Sequence, residues 1–469
     1  HFTCKRNLRE NLFIMVKRNI NWDEFKSDIE GVRFYDEKEF VASRSKDYYW
    51  YSPLLSEVLD DKVGDIVVLP SNQKEVAKIS AAVAKQKIPL TLRGGGTGNY
   101  GQCVPLEGGV IMITTKLDKI VEFKNNSVRT EAGIRISRLD DAARERGLEL
   151  LMYPSTRLTA TIGGFLAGGS GGCGSLRNGM LRDPGNITYL KVLTVEPEPK
   201  IIELHNDDIQ KVQHAYGTNG IVLEMELALS KARDWIHCAA LFNGYDKALK
   251  FAQAAQEKAF DCYLLTVVER RFAQFYRKLG ERFPANRDAV FAMVAPEQFD
   301  KFKDFVGSKG GEISFAFKEQ DLRSNNLQPA YEFGWNHTTL QALKVDKSWT
   351  YLQVAYPQPF DPNLVLKQME RYGEEIYWHH EMARMGGHIQ IFALPLVKSK
   401  GRAAMYELIE ELENNDGCTI YDPHVYTIED GGMKEIDSNQ IDFKKKADPY
   451  GIMNPGKTRG WSMEMARKD

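Results

Sequence analysis

Two dense glycine clusters constrain this chain more than any other feature. The first is Arg93-Gly94-Gly95-Gly96-Thr97-Gly98, and the second runs from Ile162-Gly163-Gly164 into Gly168-Gly169-Ser170-Gly171-Gly172-Cys173-Gly174. Each follows a segment with its own regular pattern, so neither reads as a flexible linker. Glycine lacks a Cβ and tolerates positive φ, which lets backbone amides converge on an anion or lie flat against a ring. Such a chain folds around a large bound cofactor.

Composition sets the outer bounds. A length of 469 residues with 43% hydrophobic and 11% aromatic residues supplies apolar surface for more than one core and predicts two domains. Lys and Arg (62) nearly balance Asp and Glu (64), so no field draws nucleic acid or an anionic membrane. The tight basic run Lys444-Lys445-Lys446 reads as a solvated face. Cys4, Cys103, Cys173, Cys238, Cys262 and Cys418 are scattered without a paired or metal-spaced framework, which suits a reducing compartment. Leu12 to Val16, the longest apolar stretch near the start, is too short for a signal-peptide core or a membrane span. The expectation is a cytoplasmic protein without an integral membrane segment, with peripheral membrane association left open. Residues 1–14 precede the first methionine, Met15, and are set aside from the fold argument.

From Asp65 onward the pattern is dense. Ile66 to Leu69 predicts a short strand, Ser71 or Asn72 can cap a helix carrying Val76, Ile79 and Val83, and Leu90 to Arg93 predicts a strand that delivers the first glycine loop. Strands follow at Val110 to Ile113 and Val128 to Thr130, then a helix from Ser137 closed by Gly147. Ile187 to Val195 and Ile201 to Leu204 form a hairpin around two prolines, and the alternation from Ile221 to Leu229 marks an amphipathic strand. Past Lys231 the rhythm changes. Phe291 to Val294, a helix from Pro296 to Val306 and a strand near Ile313 make one strand-helix-strand unit. Tyr351 to Ala355, Pro362 to Tyr372 and His388 to Ala393 make another, followed by a helix from Arg402 to Leu412.

Three strings are decoys. Gly96-Thr97-Gly98-Asn99-Tyr100-Gly101 satisfies GxGxxG, but no helix follows; Gly169-Ser170-Gly171-Gly172-Cys173-Gly174 lacks a preceding strand. Neither is a nicotinamide fingerprint. Gly451-Ile452-Met453-Asn454-Pro455-Gly456-Lys457-Thr458 spells a Walker A motif, yet Pro455 removes a cradling amide and little chain remains for the helix that motif opens.

The ordered set of motifs resembles a family. Val68-Leu69-Pro70, the Arg93 to Gly98 loop, Leu106-Glu107-Gly108-Gly109-Val110, Thr161-Ile162-Gly163-Gly164 and Gly217-Thr218-Asn219-Gly220-Ile221-Val222 resemble the FAD-binding domain of the vanillyl-alcohol oxidase and p-cresol methylhydroxylase (PCMH) superfamily. The tail Asp448-Pro449-Tyr450-Gly451-Ile452-Met453-Asn454-Pro455-Gly456-Lys457 is similar to that of the branch containing glycolate oxidase and D-lactate dehydrogenase flavoproteins. The resemblance implies an α+β, two-domain flavoprotein. Its PCMH-type FAD-binding domain spans 15–231, with a core at 61–231, a ferredoxin-like cap spans 232–427, and 428–469 return to the first domain.

The same resemblance implies site residues. Arg93 and the amides of Gly94, Gly95, Gly96, Thr97, Gly98 and Asn99 would hold the FAD pyrophosphate. Pro154, Thr161, Gly163, Gly164, Gly168, Gly171 and Gly174 would line the flavin stretch, and Gly220 and Ile221 the adenine or ribose, Ile221 through its backbone. Asn454 and Lys457 would reach the isoalloxazine end. Relatives that attach flavin covalently through the first loop carry histidine where this chain has Thr97, so FAD is expected to be noncovalent.

The reaction implied is oxidation of a small alcohol or 2-hydroxy acid by hydride transfer to flavin N5, with a base from the cap taking the proton. His388, His424 and Tyr421 are the chosen catalytic residues, ahead of His379, His380 and Tyr426. Arg384 or Arg402 could clamp a carboxylate. The branch's metal-binding histidine motif lacks its second histidine at Gly387-His388-Ile389-Gln390-Ile391-Phe392, so no metal is assigned. Two rivals stand: a carbon-oxygen transferase like alkyl-dihydroxyacetone-phosphate synthase, and a flavin-binding subunit of a redox complex. The electron acceptor (oxygen, quinone or cytochrome) and the oligomeric state stay open.

Overall fold

The computed structural model describes residues 19–459, so the expected domain limits at 15–18 and 460–469 lie outside the described residues. The expected elements around the first loop form as read. The strand Ile66–Leu69 leads into the helix Gln73–Gln86, whose N-terminus is closed by the Asn72 side chain accepting from Glu75 N. That helix buries Val76, Ile79 and Val83 on one face. The strand Leu90–Arg93 then pairs in parallel with Val110–Ile113, which pairs in parallel with Ile66–Leu69; Arg33–Tyr35 adds an antiparallel edge. This four-stranded sheet sets the height of the first glycine loop.

A second sheet is antiparallel and is centred on the long strand Ile221–Lys231. It pairs with Ser127–Glu131 on one side and with Ile187–Leu193 on the other, and the proline-bounded hairpin Ile187–Leu193 with Ile201–His205 extends it. The alternation read in the sequence is real: Ile221, Leu223, Met225, Leu227 and Leu229 are all buried.

Beyond residue 231 a βαββαβ unit appears: strand Ile236–Phe242, helix Tyr245–Glu257, strands Cys262–Val268 and Asp288–Val294, helix Phe299–Ser308, strand Glu312–Lys318. Numbered within the unit, its strands lie in the order 4-1-3-2, all neighbours antiparallel. The sheet continues through His379–Met385, His388–Ala393, Val354–Ala355 and Thr419–Ile420. The hairpin His379–Met385 to His388–Ala393 turns at Gly386-Gly387, both at positive φ. Its strands carry Met385, Phe392 and Ala393 toward the glycine loops.

The terminal segment closes back on the first sheet. Leu90 bridges Met453, Leu90 N donates to Ile452 O, and Asn454 N donates to Leu90 O. One sequence reading fails here. Lys444 lies on the same face of the helix Ser438–Ala447 as Gln440 and Ala447, one turn apart, so the lysine run splits between two faces. Lys444 is buried while Lys445 and Lys446 are exposed, and its Nζ donates to Thr218 O (2.8 Å) and Asp448 Oδ2 (2.7 Å).

Lys444→Met would strand the buried Asp448 carboxylate. The expected cost is about 3 kcal/mol, against within about 0.5 kcal/mol for Lys446→Met on the exposed face. Denaturant melts of both variants check this.

Candidate functional site

One cavity lies where the two glycine clusters face the eight-stranded sheet. The loop Gly94 to Asn99 forms its first wall, Pro154 to Ala160 with Thr161 to Gly172 its second, and Trp335, Asn336, His337, Gln353, Met385, Phe392 and Tyr421 its third. The first two walls touch at distances only glycine permits. A Cβ on Gly95 would sit 2.2 Å from the Thr159 carbonyl oxygen and one on Gly94 2.2 Å from Thr161 Oγ1; the second wall is pressed as closely on Ala132, whose carbonyl oxygen a Cβ on Gly163 would meet at 2.7 Å. Thr161 itself caps the short helix Ile162–Gly168, its Oγ1 accepting from Gly164 N at 3.2 Å.

FAD fits these walls on a test the backbone supplies. Among the described residues, no protein acceptor receives the amides of Gly94, Gly95, Gly96, Thr97, Gly98 or Asn99, although their neighbours' amides are bonded. Unpartnered amides clustered on a glycine-rich turn are a site for a pyrophosphate. The glycines of the second wall leave its surface flat enough for a ring. Gly94 to Asn99, Pro154, Thr161, Gly163, Gly164, Gly168, Gly171 and Gly220 all line the cavity, as does Tyr421.

Several expected residues do not. The Arg93 guanidinium turns away and donates to the carbonyls of Arg44 (3.1 Å) and Lys46 (2.6 Å) and lies 3.3 Å from Cys103 Sγ. Through Nη1 it ties the loop to the segment behind it, and Arg93 is not among the residues that line the cavity. Gly174 donates to Tyr263 O and takes positive φ against Leu151, outside the cavity. Ile221 is fully buried and pairs with Leu193 in the sheet. Asn454 Nδ2 donates to the carbonyls of Gln102 and Tyr216, and Lys457 Nζ donates to Gly101 O at 2.6 Å. Both hold the first loop up from below.

The catalytic histidines read from the sequence also move. His388 is exposed beside the Gly386-Gly387 turn, where a strand-entry position faces solvent. His424 is buried, its Nδ1 2.6 Å from Ser52 Oγ, and burial lowers its pKa; it ties the strap before the tail to the helix Pro53–Leu59. Arg384 donates to Gly387 O and Arg402 to Glu57, so neither reaches the cavity. His379 and His380 are interior, bonded to Glu381 and Tyr245.

Other groups take their place. Asp47 lines the cavity, and Tyr48 N donates to Gly98 O at 2.7 Å, so a segment well before the strand Ile66–Leu69 forms part of the floor. Burial pushes the Asp47 carboxyl up to about 6 and the Lys457 ammonium down to about 7, each moderated by the other's charge. Burial also lifts the Tyr100 phenol to about 12 and drops His214 to about 3, leaving that imidazole neutral. Gln353 Nε2 donates to the Tyr100 hydroxyl across the cavity. His337 is buried, with Glu332 Oε2 3.0 Å from its Nδ1 but off the hydrogen-bonding direction. Trp335 Nε1 and Asn336 Oδ1 are buried without partners. Nothing periodic marks residues 335–337; an Asn-His pair after Gly334-Trp335 was the one available signal.

Residues 64–204 match the FAD binding domain family. The chain is similar to a D-lactate dehydrogenase of Archaeoglobus fulgidus, 28% identical over 84% of this chain and 90% of that one. It is also similar to the glycolate oxidase subunit GlcD of Escherichia coli K12, 29% identical, over only 28% of this chain and 27% of that one. Among solved structures, alkyldihydroxyacetonephosphate synthase aligns over 94% of this chain and 86% of its own at TM-score 0.70 and 15% identity. A Physcomitrella patens BBE-like 1 variant aligns over 91% and 97% at TM-score 0.62 and 12% identity. With the amide cradle, these matches define an FAD-linked oxidoreductase of the oxidase or dehydrogenase kind. The family match and these likenesses agree with the resemblance to the vanillyl-alcohol oxidase and p-cresol methylhydroxylase superfamily.

Gly95→Ala drives a methyl into the Thr159 carbonyl, which only a backbone shift can relieve. The expected product is a folded protein, by circular dichroism, purified without flavin absorbance. Gly307→Ala, where a Cβ meets nothing within 4 Å, should retain it.

Proposed function

We propose that this protein oxidises a 2-hydroxy acid with noncovalently held FAD. The observation that carries the reading is the meeting of two chemistries in one cavity: unpartnered amides on one wall, acid–base side chains on the facing wall. The similarity to a D-lactate dehydrogenase over most of both chains supports the hydroxy-acid class. The likeness to the synthase is one of fold. We also propose two domains at the boundaries expected from the sequence, with the 4-1-3-2 unit supporting a ferredoxin-like cap.

FAD bound here would supply a two-electron acceptor for the substrate's hydride. The amides of Gly94 to Asn99 would hold its pyrophosphate, and the Thr161 to Gly172 wall would carry the ring. His337 takes the substrate hydroxyl proton at Nε2, while the Glu332 carboxylate beside Nδ1 stabilises the cationic ring. Tyr421 reaches the same cavity and orients the hydroxyl. Thr97 Oγ1 is 3.4 Å from Thr156 Oγ1 and offers no covalent link.

The test is an anaerobic visible spectrum before and after a panel of 2-hydroxy acids. The expected result is a flavin released by acid precipitation and bleached by at least one acid; a bound flavin that no acid bleaches would move the assignment to the transferase or redox-subunit reading. His337→Gln should keep its flavin and lose about 10²- to 10⁴-fold in the rate of bleaching.

A further inference from the structure

The wall opposite the glycine loops has an unusual make-up for a site that takes a small carboxylate. Arg384 and Arg402 are engaged elsewhere. Among the described residues, those beyond 231 place no Lys or Arg on the cavity surface; its one such residue, Arg182, comes from the FAD-binding side. What this wall offers is apolar. Met385, Phe392 and Tyr421 pack with Trp335 as one cluster, which Met180 joins from beside Gly171 of the second glycine loop, and all of them also line the cavity. The rings of Phe392 and Tyr421 are 6.4 Å apart, and the two methionines are unbranched side chains that adapt to a neighbouring ring.

Beside this cluster stand polar atoms with nothing to bond. Trp335 Nε1 is a buried donor and Asn336 carries a buried, unsatisfied amide oxygen. Trp335 holds positive φ, and its own amide is fixed to Glu381 Oε1 at 2.5 Å, so the pair is presented by a rigid turn. A buried polar group without a partner costs free energy unless a ligand satisfies it. A neutral donor and a neutral acceptor next to an apolar surface fit a molecule with one polar end and one greasy end.

Resting on the hydroxy-acid reading, we infer that the substrates are 2-hydroxy acids with a bulky apolar side chain, aromatic or branched aliphatic, in preference to glycolate or lactate. The side chain lies against Met180, Met385, Phe392 and Tyr421. The polar end meets the Trp335 indole N–H and the Asn336 amide. A methyl or hydrogen in place of the bulky group leaves that wall in water and forfeits the discrimination.

Stopped-flow reduction of the flavin-loaded enzyme by both enantiomers of glycolate's homologues tests this: lactate, 2-hydroxyisocaproate and 3-phenyllactate, with glycolate itself. The expected kcat/KM for the better bulky acid exceeds that for lactate and glycolate by about 100-fold or more. Phe392→Ala and Met385→Ala should lower the ratio of kcat/KM for the bulky acid to that for lactate about tenfold or more, with the flavin retained. Lactate or glycolate reducing the enzyme as fast as the bulky acids would overturn the inference and leave the hydroxy-acid reading standing. Loss of flavin from both alanine variants would overturn it too, by giving this wall to the cofactor. Reduction by none of the acids would sink the hydroxy-acid reading itself.

Discussion

The close approach of Gly94 and Gly95 to the segment Thr159 to Thr161 is the contact on which the site depends. With no Cβ between them, the first loop lies directly on the backbone that leads into the second. That contact has two consequences. It fixes Thr161, whose hydroxyl caps the next helix, so the second loop inherits its position from the first. It also leaves the amides of the first loop on the open side, where neither strand nor helix can bond them. Any side chain larger than hydrogen would separate the walls and displace both.

The loop is equally constrained from behind, and there the cost is electrostatic. Arg93 holds two carbonyls of the segment before Asp47, while Lys457 reaches the Gly101 carbonyl from the tail. Burying Asp47 and Lys457 so near one another pushes the carboxyl up and the ammonium down, the expected response of charges removed from water. Their mutual attraction offsets part of that cost, and the hydrogen bonds to backbone carbonyls and amides offset more. The terminal motif is therefore structural support for the cradle. Asn454, at φ 41°, bonds two carbonyls that approach the cavity from different parts of the chain, Gln102 and Tyr216.

Local pattern made much of the fold legible and only half of the site. Strands such as Ile66–Leu69, Leu90–Arg93 and His388–Ala393, and the helix Pro362–Tyr372, form where period, caps and prolines place them, because those signals act over a few residues. The glycines that line the cavity were legible for the same reason: close backbone approach has no other cheap solution. Arg93, Asn454 and Lys457 were assigned to the right neighbourhood and the wrong direction, since a motif shows that a residue is near a loop and not which side of it the side chain takes. Lys444 was misread because a run of like charges along the chain is split by the helical repeat. His337 and Asn336 escaped notice altogether. Only the packing of distant segments brings them opposite the glycine loops, His337 at the start of the helix His337–Leu343 and Asn336 just before it, and Tyr421 arrives there on a third, separate segment.

That asymmetry has a physical origin which bears on how such a chain acquires its specificity. The cofactor wall works through backbone amides and the absence of side chains, so few substitutions fit there. The facing wall works through side chains, Met385 and Phe392 from the antiparallel sheet and Trp335, Asn336, His337 and Tyr421 from the turn, helix start and loop beside it, and these can be exchanged without disturbing the amide cradle. A fold shared with a synthase at 15% identity and a dehydrogenase likeness at 28% are compatible on this account. The glycine loops decide where a cofactor is held, and the reaction is decided by which side chains the facing wall presents to it. Here those are an imidazole, a phenol, unpaired indole and amide groups, and an apolar cluster without a lysine or arginine among them.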